Sequence, residues 1–214
     1  GSRHRQRVQS VQADCAAEFA LVAPGTAAIA GARMLESESL LDEGRFHDAA
    51  AITGEGPCLL QYTSGSTASP KGVMISHRNF RSHFASLRCY ESLGLKSAVS
   101  WLPPYHDMGL VLKILYAFEA RIPLTFFSPD HFIQRPVRWL RAISNYRAEL
   151  SGAPNFAFEA CLRSIRDDEL EGIDLSCWKA APCGAERIRP DTLERFSQRF
   201  APYGFRPDAF RPGY

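Results

Sequence analysis

A chain of 214 residues has room for one large domain or two small ones around a substantial core. Its 45% hydrophobic and 22% charged residues are ordinary for a globular protein, and a formal charge of +2 gives no electrostatic case for nucleic acid or an anionic membrane surface. Any anion binding must therefore be local.

The start carries Arg3, His4, Arg5 and Arg7 without a secretory apolar core behind them, and no window reaches the apolar length of a membrane span. Apolar residues at Val8, Val11 and Cys15 predict a helix from Arg5 to Cys15, and Glu18 to Ala23 reads as a strand closed by Pro24-Gly25. Residues 26–56 are weakly patterned, with Leu35, Leu40 and Leu41 assigned to a connecting strand and helix. Cys58, Leu59, Leu60 and Tyr62 form the next strand, and Val73, Met74 and Ile75 a further one. Between them lies Thr63-Ser64-Gly65-Ser66-Thr67-Ala68-Ser69-Pro70-Lys71-Gly72. That loop has the chemistry of a phosphate cradle: glycine frees the backbone, hydroxyls add donors, and Lys71 supplies a compact positive charge. It is not a Walker loop, since Pro70 precedes Lys71 and Gly72 follows it.

Beyond it, Ser76 or His77 can cap a helix carrying Phe80, Phe84, Leu87 and Tyr90, which Gly94 ends. A strand over Ala98 to Leu102 breaks at Pro103-Pro104 and leads to Tyr105-His106-Asp107-Met108-Gly109, then to a helix from Leu110 to Ala120 and a strand from Pro123 to Phe127. Pro136 starts a helix with Val137, Leu140, Ile143 and Tyr146 on one side. A short strand near Glu149 to Ser151 then precedes Pro154-Asn155 at the head of another helix. Trp178 to Ala181 is the last strand, opening into Pro182-Cys183-Gly184-Ala185-Glu186, and Pro190 to Phe200 is helical. This alternation implies an α/β fold with a largely parallel sheet and flanking helices, whose ligands belong beyond the carboxyl ends of strands. Cys15, Cys58, Cys89, Cys161, Cys177 and Cys183 form no Cys-x-x-Cys pair, and the six histidines no metal-spaced pair. Reduced thiols in a cytoplasmic protein are the expectation.

Three loops together carry a resemblance: Leu60 to Thr67 with Pro70-Lys71-Gly72-Val73-Met74, Trp101 to Leu110, and Gly184-Ala185-Glu186, joined by Ala153-Pro154-Asn155-Phe156-Ala157. In this order they resemble the adenylate-forming enzymes, most closely the fatty acyl-AMP ligases, over residues 57–214. Residues 1–56 resemble the family only loosely and are expected to form an amino-terminal segment packing on the same subdomain.

The resemblance implies a large-domain subdomain of an enzyme that activates fatty acids with ATP and Mg²⁺ and passes the acyl group to an acyl carrier protein or a polyketide or nonribosomal peptide synthase. Thr63, Ser64, Gly65, Ser66, Thr67 and Lys71 would hold the β- and γ-phosphates, and Gly184, Ala185 and Glu186 the adenine side. His106 and Lys71 would be catalytic. Tyr105, His106, Met108 and Gly109 would shape the acyl site, and no metal ligand is expected among these residues.

Two departures stand out, since the family's usual glycine is Ala68 and its usual asparagine is Cys183. The family also continues beyond Pro212-Gly213-Tyr214 into ribose-binding residues and a mobile domain, so these residues alone are expected to be inactive. A fatty acyl-CoA synthetase is the enzyme alternative, and a non-catalytic acyl- or nucleotide-binding module the alternative from another class.

Overall fold

The computed structural model describes residues 2–26, 28, 29, 31–40, 55–63 and 71–213. The chain divides into two compact units, residues 1–83 and residues 84–214. In the first, α1 (Ser2–Cys15) stops where Ala16 turns left-handed at φ 49°. Gln12 Nε2 then donates to the Ala17 and Gly31 carbonyls, each at 2.8 Å, fastening the helix end. Strands β1 (Phe19–Val22) and β2 (Arg33–Glu36) pair in parallel, and Ser37–Leu40 adds a 3₁₀ turn.

Strands β3 (Pro57–Thr63) and β4 (Lys71–Ser76) form an antiparallel hairpin running from Pro57↔Ser76 to Thr63↔Lys71. A Cβ on Gly72 would lie 2.9 Å from Tyr62 Cζ, so only glycine leaves room for that ring across the hairpin. The Tyr62 hydroxyl donates to Asp14 Oδ2 at 2.5 Å, which pushes its pKa up to about 12 and ties the hairpin to α1. Helix α2 (His77–Ser86) is capped by Ser76 rather than His77: Ser76 Oγ accepts from the Asn79 N–H, and Asn79 Oδ1 accepts from the Ser76 N–H at 2.9 Å. A 3₁₀ stretch, Leu87–Leu93, carries the chain to Gly94 at φ 55°.

The second unit is built on a parallel sheet. Strand β5 (Ala98–Ser100) pairs with β6 (Leu124–Phe126) on one side. On its other side residues 150–153 continue the sheet, through parallel bridges from Ala98 to Leu150, Leu150 to Ala180 and Ala153 to Cys183. Strand β7 (Ala181–Cys183) then pairs with β8 (Phe210–Pro212) at the edge, where Pro212 is tolerated. The spatial order is β6, β5, residues 150–153, β7, β8. The chain moves one way from β5 to β6 and the other way thereafter, so the order reverses between β5 and residues 150–153.

Side chains alternate across this sheet. Ala98, Leu150 and Ala180 join Tyr116 and the partly buried Phe84, Leu87 and Tyr90 in one apolar cluster; Val99, Ala153 and Ala181 belong to the larger cluster on the other face. That larger cluster receives α5 (Pro129–Gln134), α6 (Val137–Asn145), α7 (Asn155–Ser164) and α8 (Pro190–Phe200). Their buried residues follow helical spacing, as in Thr192, Phe196 and Phe200 of α8.

The centre of this core is aromatic. Trp139 packs edge-on against Trp178 with centroids 5.3 Å apart, and Phe196 against Phe158 at 5.1 Å. Its one polar hub is Ser151, whose Oγ accepts from Trp139 Nε1 at 2.8 Å and donates to the Val99 carbonyl at 2.7 Å, while its own carbonyl accepts from Trp178 Nε1. Each bond contributes about 1 kcal/mol and would cost about 1–3 kcal/mol to leave half-made in this buried setting.

Candidate active site

In the second unit the carboxyl ends of the central strands collect two of the three loops singled out in the sequence, Tyr105 to Gly109 and Gly184 to Glu186. Beyond β5, the His106 N–H bonds the Pro103 carbonyl at 3.1 Å, folding residues 103–106 into a turn that delivers His106 to the N-cap of α3 (Asp107–Gly109). Gly109 is required there because a Cβ would sit 2.1 Å from the Pro103 carbonyl oxygen, so the helix start lies directly on the preceding backbone.

His106 Nδ1 stands 2.7 Å from Asp107 Oδ1. The Met108 N–H faces both groups, lying 3.2 Å from His106 Nδ1 and 2.6 Å from Asp107 Oδ1. Nε2 is the ring's remaining nitrogen, and the side chain is about half exposed. Asp107 thus shares the helix cap with His106 and stands against its imidazole. Tyr105 is largely exposed, whereas Met108 is buried within the main apolar cluster.

The helix continues beyond α3 with a change of winding: Leu110–Leu115 is a π-helix, followed by α4 (Tyr116–Ala120). The single helix expected from Leu110 to Ala120 therefore begins three residues early and contains a π segment, a form that recurs at functional sites. On its buried side lies Lys113, which is 1% exposed. Its ammonium has no hydrogen-bond partner among the described residues, and burial lowers its pKa to about 8.

Beyond residues 150–153, Pro154 leads into α7, whose exposed Phe156 N–H donates to Glu186 Oε1 at 2.6 Å. Asn155 Oδ1 in turn accepts the Arg189 N–H at 2.9 Å. These two bonds lock the start of α7 to the loop after β7. Within that loop Ala185 is left-handed at φ 62°, a conformation a non-glycine residue adopts at a cost of roughly 1–3 kcal/mol. A Cβ on Gly184 would lie 2.4 Å from the Gly213 carbonyl oxygen. Cys183 is buried in the apolar cluster, and burial pushes its thiol pKa up to about 11. Its side chain therefore serves the core.

The second unit thus brings Tyr105, His106, Met108 and Gly109 to the same sheet edge as Gly184, Ala185 and Glu186. In the first unit Thr63 is described through its backbone, paired with Lys71 at the open end of the hairpin, and Lys71 is exposed. Ser64, Gly65, Ser66, Thr67 and Ala68 lie outside the described residues. Lys113 has one signal in the sequence, a lone lysine inside Leu110-Val111-Leu112-Lys113-Ile114-Leu115, that does not by itself mark a site. The pairing of Asp107 with His106 is signalled only by their adjacency. Among the described residues no group of three or more His, Cys, Asp or Glu could hold a metal ion, and no helix is long and apolar enough to cross a membrane.

Residues 4–207 match the family of AMP-binding enzymes. The chain belongs to that family. Among AMP-binding relatives, FadD21 of Mycobacterium tuberculosis, named as a fatty-acid–CoA ligase, is 40% identical over 230 residues, covering 99% of this chain and 40% of that protein. The medium-chain-fatty-acid–[acyl-carrier-protein] ligase JamA of Moorena producens is 45% identical over 166 residues, 76% of this chain and 28% of JamA. A fatty acyl-adenylate ligase from Legionella pneumophila, solved with acyl adenylate and pyrophosphate, aligns with a TM-score of 0.87 at 36% identity, over 95% of this chain and 37% of that one. The chain spans about two-fifths or less of the length of these relatives. The α/β architecture expected from the sequence is the one these large-domain neighbours share.

Proposed function

We propose that the enzyme carrying this chain activates a fatty acid with ATP and transfers the acyl group to the thiol of a carrier protein. A carboxylate oxygen attacks the α-phosphorus, forming the acyl–phosphate bond as the bond to the bridging oxygen breaks and pyrophosphate leaves. No covalent enzyme intermediate is needed, so catalysis rests on positioning and charge stabilisation. The observation that carries this reading is the overlay on a ligase solved with both products of that step.

In this reading the Thr63–Thr67 loop and Lys71 receive the β- and γ-phosphates. His106, beside Asp107, faces the reacting carboxylate and α-phosphate. The loop of Gly184, Ala185 and Glu186, fixed through α7, borders adenine. Mg²⁺, which binds chiefly through substrate phosphates and one or two carboxylates, would add positive charge to the leaving pyrophosphate. The burial of Cys183 supports an active rather than a degenerate site, since that departure from the family falls on a core position. The described cysteines are free thiols, in keeping with a cytoplasmic enzyme.

The test is fatty-acid-dependent exchange of pyrophosphate into ATP by the full-length protein. Exchange that requires a fatty acid is expected, and its absence with every fatty acid tried defeats the reading. Residues 1–214 alone are expected to give none. Coenzyme A is the second acceptor reading, favoured by the name FadD21 carries. Offering the enzyme coenzyme A and carrier protein in parallel separates the two.

A further inference from the structure

A buried ammonium without a counter-charge is costly, and proteins ordinarily pair or expel it. Lys113 is neither paired among the described residues nor exposed. Its helix leaves the carboxyl end of β5 beside the point where the strand order reverses, which is where α/β sheets take their ligands. It lies on the buried side of that helix with Gly109, Tyr116 and Ala117, spaced three or four residues apart. Tyr116, three residues on, packs with Ala98, Leu150 and Ala180 on one face of the sheet.

Lys113 lies seven positions beyond His106, about two turns further along this helical stretch. An acyl chain entering beside His106 and running along this helix would bring its distant portion to Lys113.

Resting on the adenylation reading above, we infer that Lys113 determines acyl specificity: it receives an oxygen acceptor carried far along the acyl chain, so the enzyme prefers carboxylic acids bearing a second polar oxygen to plain fatty acids. A carboxylate would gain an ion pair and a hydrogen bond, and a hydroxyl a charge-assisted hydrogen bond. At neutral pH the amine remains mostly protonated, which favours either over a methyl group.

The full-length enzyme and its Lys113→Met and Lys113→Gln variants would be assayed by pyrophosphate exchange with decanoic, ω-hydroxydecanoic and decanedioic acids. The wild type should favour an oxygen-bearing acid over decanoic acid in kcat/KM by about tenfold to a hundredfold, the range of a hydrogen bond to a charged group. Whichever of the two wins identifies the acceptor. Lys113→Met should reverse the preference, and Lys113→Gln should keep any preference for the hydroxyl acid while losing that for the diacid. Exchange in which the wild type favours decanoic acid, or in which both variants retain the wild-type ratio, overturns the inference and leaves adenylation standing. No exchange with any acid overturns both.

Discussion

Replacing Lys113 by Met should stabilise the second unit, by an amount that depends on pH in a defined way. Burial lowers the lysine pKa from 10.5 to about 8. At 1.36 kcal/mol for each pH unit between these values, the buried ammonium costs the folded state ~3 kcal/mol near neutral pH. Below about pH 8 the lysine is protonated in both folded and unfolded chains, and that cost is constant. Between about 8 and 10.5 the unfolded chain holds a proton that the folded one has released, so wild-type stability rises with pH, by at most 1.36 kcal/mol per unit. Methionine, similar in length and apolar, removes both the cost and the slope.

All three tryptophans, Trp101, Trp139 and Trp178, lie in the core of the second unit, so urea unfolding followed by their fluorescence reports this unit. The buried thiols of Cys161 and Cys183 titrate above their usual range and lower stability as pH rises, and subtracting the variant from the wild type cancels them. The variant should be more stable by ~3 kcal/mol near neutral pH, with the gap closing toward pH 10.5. Parallel curves from neutral pH to 10.5, or a variant less stable than the wild type, would refute an uncompensated buried charge.

Three further substitutions separate support from chemistry. His106→Ala should change stability by under about 1 kcal/mol, because Asp107 keeps the Met108 N–H, while adenylation by the full-length enzyme falls about a hundredfold or more; unchanged exchange kinetics would remove His106 from the site. Glu186→Ala should cost about 1 kcal/mol by freeing the Phe156 N–H at the start of α7, with Glu186→Gln recovering most of it; equal loss in both variants would argue against the cap. Gly109→Ala forces a methyl onto the Pro103 carbonyl and should cost ~3 kcal/mol in urea unfolding, whereas a change below about 0.5 kcal/mol would show that the turn yields.

Elements whose ends carry local chemistry were legible. Helix α8 runs over Pro190–Phe200 as its leading proline and its Leu193, Phe196 and Phe200 spacing predict, and Gly94 ends the preceding helical stretch at a positive φ. Helix α5 escaped notice although Ser128-Pro129 announces it, with Ser128 Oγ accepting the Asp130 N–H. Strand β8 holds only three residues, one of them a proline, so no pattern marks it. The last central strand was placed at Trp178 to Ala181 but is assigned at Ala181–Cys183, because the Trp178 N–H turns back to the Leu175 carbonyl while its ring enters the core. An apolar run states that side chains are buried, not which backbone groups form a ladder. The same holds for the π segment: an altered winding leaves the composition of Leu110–Leu115 unchanged.

The loops of the second unit were legible as chemistry but not as a mechanism of support, because their partners are distant in sequence. Glu186 reaches back thirty residues to Phe156, and Asn155 reaches forward thirty-four to Arg189. Polar residues that one-dimensional reading assigns to a ligand are thus partly engaged in holding each other. Such engagement suits catalysis that depends on preorganised geometry, since groups already fixed need no rearrangement when charge develops. It also sharpens what remains for substrate. Asp107 and Asn155 are committed to backbone N–H groups and Glu186 to α7, while among the described residues of this region Trp101 Nε1 and the ammonium of Lys113 are buried without a partner. Both lie on the segment that leaves the carboxyl end of β5, with His106 between them in sequence. An oxygen carried far along an apolar chain is the group proposed to meet the Lys113 ammonium.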